Sequence, residues 1–267
     1  MFKTRLLSGI VLVALALVLI ITGGDVLLCA LLLISLIGMF ELYRILNIEK
    51  KAAGIVGYLA AAVFYAHLYH SFLPEMMVFV IGTLVLLMFV YVFTYPDYKT
   101  ERILAAFFGV FYVAVMISYI YQTRMLERGA YIVWLIFLCS WGCDTCAYCV
   151  GVLIGKHKMS PKLSPKKSIE GAVGGVVGSM LLTLLYAWIF REPMQIGTNE
   201  MLLLSAISGV GALISMVGDL AASAIKRNYE IKDYGKLIPG HGGILDRFDS
   251  VIFTAPVIYF LAAYLIK

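Results

Sequence analysis

The chain has 267 residues, 62% of them hydrophobic and 14% charged, with a mean hydropathy of +0.95 and a formal net charge of +5. Soluble domains run at about 45–50% apolar and about 25% charged, so a water-soluble globule is excluded and lipid is the solvent that accepts this surface. The small positive balance is no nucleic-acid footprint, and five cysteines, four of them within 139–149, are not the pattern of an extracellular disulfide framework.

A bilayer core of about 30 Å takes about 20 helical residues. Apolar runs broken by charge, proline or polar clusters predict about nine transmembrane helices. The first, 6–21, follows Met1-Phe-Lys-Thr-Arg5; no small-x-small cleavage site comes after it, so it reads as a retained helix and not as a signal peptide. The second, 26–43, ends near Glu41 and Arg44. The others are 53–70, 76–95, 103–121, 131–154, 171–190, 201–223 and 250–266. The expected fold class is all-α: a single polytopic transmembrane domain over 1–267, with a weakly characterised N-terminal part (1–130) and a catalytic C-terminal part (131–267).

Orientation follows from the Lys/Arg bias of short loops. With the N-terminus cytoplasmic, seventeen of the 21 Lys and Arg fall on the inner side. Only Arg124, Arg128, Arg191 and Lys267 fall outside. The two longest basic loops, 155–170 and 224–249, then share the cytoplasmic face, and chemistry is expected there.

Acidic residues in or beside the spans are the first clue to that chemistry. Asp144 falls in the sixth span, Asp219 near the inner end of the eighth, and Asp249 at the mouth of the ninth, three residues after Asp246. A carboxylate at mid-membrane costs about 2.5–3.5 kcal/mol, so each requires a cavity or a partner. Converging carboxylates suit a hard cation such as Mg²⁺; pairing of each Asp with a nearby Lys or Arg is the alternative. The segment Gly155-Lys-His-Lys-Met-Ser-Pro-Lys-Leu-Ser-Pro-Lys-Lys-Ser-Ile-Glu170 offers five lysines with serines, suited to a polyphosphate or an anionic headgroup, although basic loops also serve simply to anchor. Ser168 is placed to cap the seventh helix, with Lys166 and Lys167 beside its positive end.

The last loop is the richest. It carries Ser223, Lys226, Arg227, Lys232, Asp233, Lys236, then Gly240-His241-Gly242-Gly243 and Asp246-Arg247-Phe-Asp249. Glycines around His241 let backbone N–H groups approach an anion closely. Elsewhere the chemistry is plainer. Cys143, Cys146 and Cys149 read as small packing residues in a span and not as an iron–sulfur run. Small-residue faces on the seventh helix (Gly171, Gly175, Gly178) and eighth helix (Ser208, Gly211, Ser215, Gly218, Ala222) read as helix-packing surfaces. Trp134, Trp141 and Trp188 read as lipid-facing or interfacial.

Over about 140–250 the sequence resembles the phosphatidate cytidylyltransferases, or CDP-diacylglycerol synthases. The resemblance rests on Ser223-x-x-Lys226-Arg227, Lys232-Asp233 and His241-Gly-Gly-x-x-Asp246-Arg247-x-Asp249. Upstream it rests on Asp144-x-x-Ala-Tyr148, Gly155-Lys-His-Lys158 and Ser164-Pro-Lys-Lys-Ser168-x-Glu170-Gly171. Ser168 stands where Thr is common in the family, which keeps the hydroxyl. The resemblance implies the reaction CTP + phosphatidate → CDP-diacylglycerol + pyrophosphate, assisted by Mg²⁺ alone or with a second cation. On that footing Asp219, Asp246 and Asp249, with Asp144, are expected as metal ligands. Asp219, Asp246, Lys167 and His241 form the expected catalytic set. Ser164, Lys166, Lys167, Ser168, Ser223, Lys226, Arg227, Gly242, Gly243 and Arg247 are expected to hold phosphates or the lipid headgroup. The resemblance further implies a homodimer in the cell membrane of a prokaryote, in contact with membrane lipid and with no nucleic-acid partner, its active site facing the cytoplasm. Two rivals stay open: a CTP-dependent lipid-alcohol kinase, which needs a base for a neutral hydroxyl, and an ion-coupled transporter using the intramembrane Asp residues.

Overall fold

The structure, a computed structural model, describes residues 2–266, with side chains from Ser8 to Ile266. Lys3, Arg5 and Lys267, which enter the charge count above, have side chains outside the described residues. The protein is an all-α polytopic membrane protein. Among the described residues eight helices are long and apolar enough to cross a bilayer. They are α2 (Gly24–Ile45), α3 (Ala52–His70), α4 (Met76–Phe93), α5 (Thr100–Arg124), α6 (Gly129–Ile154), α7 (Ile169–Ile189), α9 (Thr198–Asn228) and α10 (Leu245–Leu265). The helix ahead of them, α1 (Phe2–Thr22), counts as a shorter apolar helix over Ser8–Thr22, and α8 (Arg191–Met194) is a single turn. Each expected span therefore has its helix, eight of them long and apolar enough to cross a bilayer among the described residues.

Three local features differ from the expectation. Helix α9 runs five residues past the predicted end, with Lys226 and Arg227 in its last turn, where cations complement the negative C-terminal end of the helix dipole. Helix α10 starts at Leu245, five residues early, so that Asp246 and Asp249 are both helical. Between α6 and α7 lies a short antiparallel hairpin, β1 (Lys158–Ser160) and β2 (Ser164–Ser168), with Lys158 opposite Ser168 and Ser160 opposite Ser164. Pro161 and Pro165 interrupt any helix here, and a two-stranded ribbon tolerates proline because both strands are edges.

The chain divides into two compact units. The first comprises residues up to Ser118 with Asp233–Asp246; the second comprises Tyr119–Lys232 with the chain from Arg247 onward. In the first, Tyr43 of α2 is fully buried and donates its hydroxyl to the Ala106 carbonyl at 2.6 Å. Gly57 of α3 and Gly109 of α5 lie against its ring, where any Cβ would collide. Close approach of three helices around one aromatic explains why these positions carry no side chain.

In the second unit α7 shows the inverted pattern expected of a helix in lipid. Gly171, Gly175, Ser179, Thr183 and Ala187 form its buried stripe, while Val173, Val177, Leu181 and Leu185 face outward. The glycines pack on α6: a Cβ at Gly175 would meet the Cys143 sulfur at 3.0 Å, and one at Gly178 the Cys146 sulfur at 2.6 Å. Small-residue packing is thus the use made of these cysteines. Across α7 and α9, the Ser179 and Ser208 hydroxyls lie 2.8 Å apart, and Thr183 donates to Ser208 at 2.7 Å. Such bonds pin helix register where lipid supplies no hydrophobic drive between helices.

Candidate active site

In the second unit, three helices and the hairpin bring charge together. Lys167, at the end of β2, donates to the Asp219 carboxylate of α9. Asp144 of α6 lies within electrostatic reach of Lys167, Asp219 and Arg247, and hydrogen-bonds Ser250. Asp249 of α10 lies within reach of Asp219, Asp144 and Lys226, and its own carboxylate accepts the Ser250 amide at 2.9 Å. Burial alone would lower the Lys167 pKa; the Asp219 carboxylate first, then Asp144 and Asp249, outweigh it and hold the ammonium above its usual value. Three carboxylates gather around Lys167, with Arg247 and Lys226 also in reach.

Beside this cluster in sequence, one turn further along α9, a cleft of about 220 Å³ opens. It has room for about seven waters at ~30 Å³ each. Its walls are Leu163, Ser164, Pro165 and Lys166 from the hairpin, and Ser223, Lys226, Arg227, Ile231 and Lys232 from the end of α9 and beyond. Five of the expected phosphate-binding residues thus meet: Ser164, Lys166, Ser223, Lys226 and Arg227. Lys232 joins them, a cation that the sequence offered without marking it for this wall. Four cations and two hydroxyls around a small polar space suit phosphate oxygens.

The hairpin is itself braced. Ser168 caps α7, its hydroxyl accepting the Gly171 amide at 3.1 Å as its position before the helix implied. Glu170 accepts the amides of Lys156 at 3.1 Å and His157 at 3.2 Å, and meets His157 Nδ1 at 2.5 Å. Trp141, expected to be lipid-facing or interfacial, is half-buried and donates Nε1–H to the Arg247 carbonyl at 3.3 Å. Its place is decided by the polar handle on its ring, which finds a partner inside the unit.

The remaining expected residues lie on 233–246, which packs in the first unit. Here the backbone turns sharply: Gly240 and Gly242 have φ of 79° and 85°, a region that favours glycine, and the Ile238 amide donates to the Gly242 carbonyl at 2.8 Å. The Asp246 carboxylate, 4% exposed, accepts the amides of Tyr234 at 2.7 Å and Gly243 at 2.9 Å. Gly243 thus presents its N–H to an anion as the glycines suggested, and that anion is a carboxylate of the chain itself. His241 Nδ1 sits 2.8 Å from the hydroxyl of Ser8 on α1, which also donates to the Pro239 carbonyl at 3.0 Å.

Sequence reasoning missed two residues of this loop's frame. Glu41 of α2, 4% exposed, accepts the amides of Ile244 at 3.1 Å and Leu245 at 2.9 Å. Arg44, one turn on, donates to the Tyr234 carbonyl at 2.7 Å. Their one signal in the sequence was charge at the end of an apolar span.

Among the described residues no three His, Cys, Asp or Glu side chains converge on a point that could hold a metal ion. Mg²⁺ usually takes one or two carboxylates and completes its shell with water and substrate phosphates. Asp219 and Asp249, in mutual electrostatic reach, suit that mode of binding; a cage built from protein carboxylates alone does not match the geometry.

With the fold and these groups in view, comparison with known proteins is direct. The phosphatidate cytidylyltransferase of Bacillus subtilis (strain 168) is 30% identical over 269 residues, spanning 98% of this chain and 97% of the relative. That of Staphylococcus epidermidis (strain ATCC 12228) is 35% identical over 271 residues, spanning 97% and 98%. That of Staphylococcus aureus (strain COL) is 34% identical over 268 residues, again spanning 97% and 98%. Residues 3–265 match the Cytidylyltransferase family as a whole. Near-complete coverage on both sides leaves no part of the charged cluster, the cleft or the glycine loop outside the match, and the chain belongs to the cytidylyltransferase family.

Proposed function

We propose that this enzyme transfers the cytidylyl group of CTP to phosphatidate, forming CDP-diacylglycerol and pyrophosphate. The observation that carries the reading is the cleft of Ser164, Lys166, Ser223, Lys226, Arg227 and Lys232, set one helical turn from the Lys167–Asp219 pair. A phosphate oxygen of the lipid attacks the α-phosphorus of CTP. The new P–O bond forms as the bond to the β-phosphate breaks, and the electron pair leaves with pyrophosphate. That nucleophile is already anionic, so no activated Ser or Cys is required. The difficulty is bringing two anions together and stabilising charge on the departing group, which fixed cations do well in a site of low dielectric.

The cleft lysines and Arg227 hold phosphates by charge, with Ser164 and Ser223 as hydroxyl donors. Lys167 stabilises charge at the reacting phosphorus and keeps Asp219 in place. A bound Mg²⁺, taken by Asp219 and Asp249 with Asp144 nearby, would neutralise phosphate oxygens, while the Asp246 carboxylate is engaged by the amides of its own loop. His241 is the remaining member of the expected catalytic set, with its Nδ1 on the Ser8 hydroxyl in the first unit. The deciding experiment supplies purified protein with labelled CTP and either phosphatidate, diacylglycerol or a polyprenol. Turnover should require phosphatidate and release pyrophosphate. Release of CDP with a lipid alcohol, and no product with phosphatidate, would assign the chain to the lipid kinases instead.

The same proposal sets the site on the cytoplasmic face of a bacterial cell membrane, supported by the Lys/Arg bias of the loops and by the bacterial relatives. Single cysteines at the exposed positions Lys162 and Lys236 should resist an impermeant thiol reagent in intact cells and react in inverted vesicles; one at Glu192 should do the reverse. Labelling is scored above the background of the five native cysteines. Reaction of positions 162 and 236 from outside would reverse the assignment.

A further inference from the structure

The frame of the 233–246 loop rests on a group nearly two hundred residues away in sequence. Glu41 lies within a transmembrane helix, yet its carboxylate is turned from lipid and caps the start of α10, one oxygen on the Ile244 amide and the other on the Leu245 amide. The space it fills is kept clear by glycine. A Cβ at Gly235 or at Gly243 would collide with the Glu41 carboxylate. Arg44 ties the other end of the loop through the Tyr234 carbonyl, and Asp246 draws Tyr234 and Gly243 together from within.

A carboxylate buried in a membrane helix is costly and is kept where a specific partner holds it. Two amides at a helix start are the groups a carboxylate satisfies best, by hydrogen bond and by the positive end of the dipole. We propose that Glu41 is a positioning residue for cytidylyl transfer. Its charge, and not its bulk, fixes the first residue of α10 and with it the direction of Asp246. Without a partner for its two first amides the helix start frays, and the first turn, which carries Asp246, loses its fixed direction. Asp249 follows one turn later on the same helix. The proposal rests on the functional reading above.

The test compares Glu41→Gln, Glu41→Asp and Gly235→Ala with the parent protein, all purified in detergent. Gln matches the size of Glu but points an N–H donor at an N–H donor; Gly235→Ala keeps the carboxylate and displaces it. Glu41→Gln and Gly235→Ala should lower kcat by between about 10- and 100-fold, the scale of a small misplacement remote from the chemistry. KM for CTP should move less than about threefold, because the phosphate cleft is untouched. Glu41→Asp should recover part of kcat. Amide exchange over 241–247 should speed up in Glu41→Gln and Gly235→Ala with the melting temperature nearly held. Parent-like kcat and exchange in both would overturn the proposal, as would an equal fall of all three variants in melting temperature with kcat per folded protein unchanged. If Glu41→Gln does not fold, Gly235→Ala and Glu41→Asp decide by the same readings. Absence of CDP-diacylglycerol from the parent protein itself would instead remove the functional reading, while the exchange rates would still decide whether Glu41 holds the helix start.

Discussion

Asp219→Asn should yield a folded, membrane-inserted protein whose kcat/KM is lower by about 10³-fold or more, a loss of about 4 kcal/mol at ~1.36 kcal/mol per decade. The side chain is only 21% exposed and does two things at once: it receives Lys167, and it lies within reach of Asp249 and Asp144. Asn preserves shape and one oxygen but removes the charge. If Asp219 served only to neutralise Lys167, Asp144 and Asp249 would take over part of that work, and the loss would stay near tenfold. If it also holds a divalent cation, a neutral amide is a poor substitute, and added Mg²⁺ recovers little. Activity of the purified variant, titrated with Mg²⁺ beside a thermal melt, separates these outcomes. Near-parent turnover at saturating Mg²⁺ would remove Asp219 from the chemistry.

Lys167→Met should cost about 10²–10³-fold in kcat, the effect typical of removing one charge-stabilising donor. The stability cost should be below the ~3–5 kcal/mol of breaking a fully buried ion pair, since Lys167 and Asp219 are 28% and 21% exposed. The sign of a second change is more telling. The ammonium and a metal ion compete for Asp219, so without Lys167 the carboxylates Asp144, Asp219 and Asp249 should bind Mg²⁺ more tightly while turning over more slowly. Lys167→Arg should rescue incompletely, because a planar guanidinium does not place its charge where a compact ammonium does. Binding of Mg²⁺ measured calorimetrically on the variant checks this: weaker binding together with parent-like kcat would contradict the role assigned to Lys167.

The cleft was legible in the sequence because its residues come from two short segments, 163–166 and 223–232, each rich in cations and hydroxyls. Lys232 was missed as a member because position in a loop does not reveal which wall it lines. The hairpin at 158–168 was missed for a different reason. Three- and five-residue strands with proline carry too little alternation to register, and their pairing is set by the helices on either side.

The glycine loop marks the limit most clearly. Gly240 and Gly242 correctly announced tight backbone, and Gly243 an amide turned to an anion. What braces the loop from outside lay beyond the sequence, because the Glu41 carboxylate that receives the Ile244 and Leu245 amides comes from the second helix, 203 positions before Ile244. Hydropathy treated Glu41 and Arg44 as the frayed end of a span.

By itself the sequence determined what is local or additive: the membrane as solvent, the positions of the helices, the small-residue faces, and the types of chemistry in the two basic loops. Transfer free energy sums over neighbouring residues, and helix faces repeat every few positions, so both survive in one dimension. Only the tertiary structure decided how charges are partnered: Lys167 on Asp219, Asp246 on the amides of its own loop, and Glu41 at the start of α10. A buried charge takes whichever partner packing brings within about 3 Å, and nothing in the spacing of residues along the chain encodes that meeting.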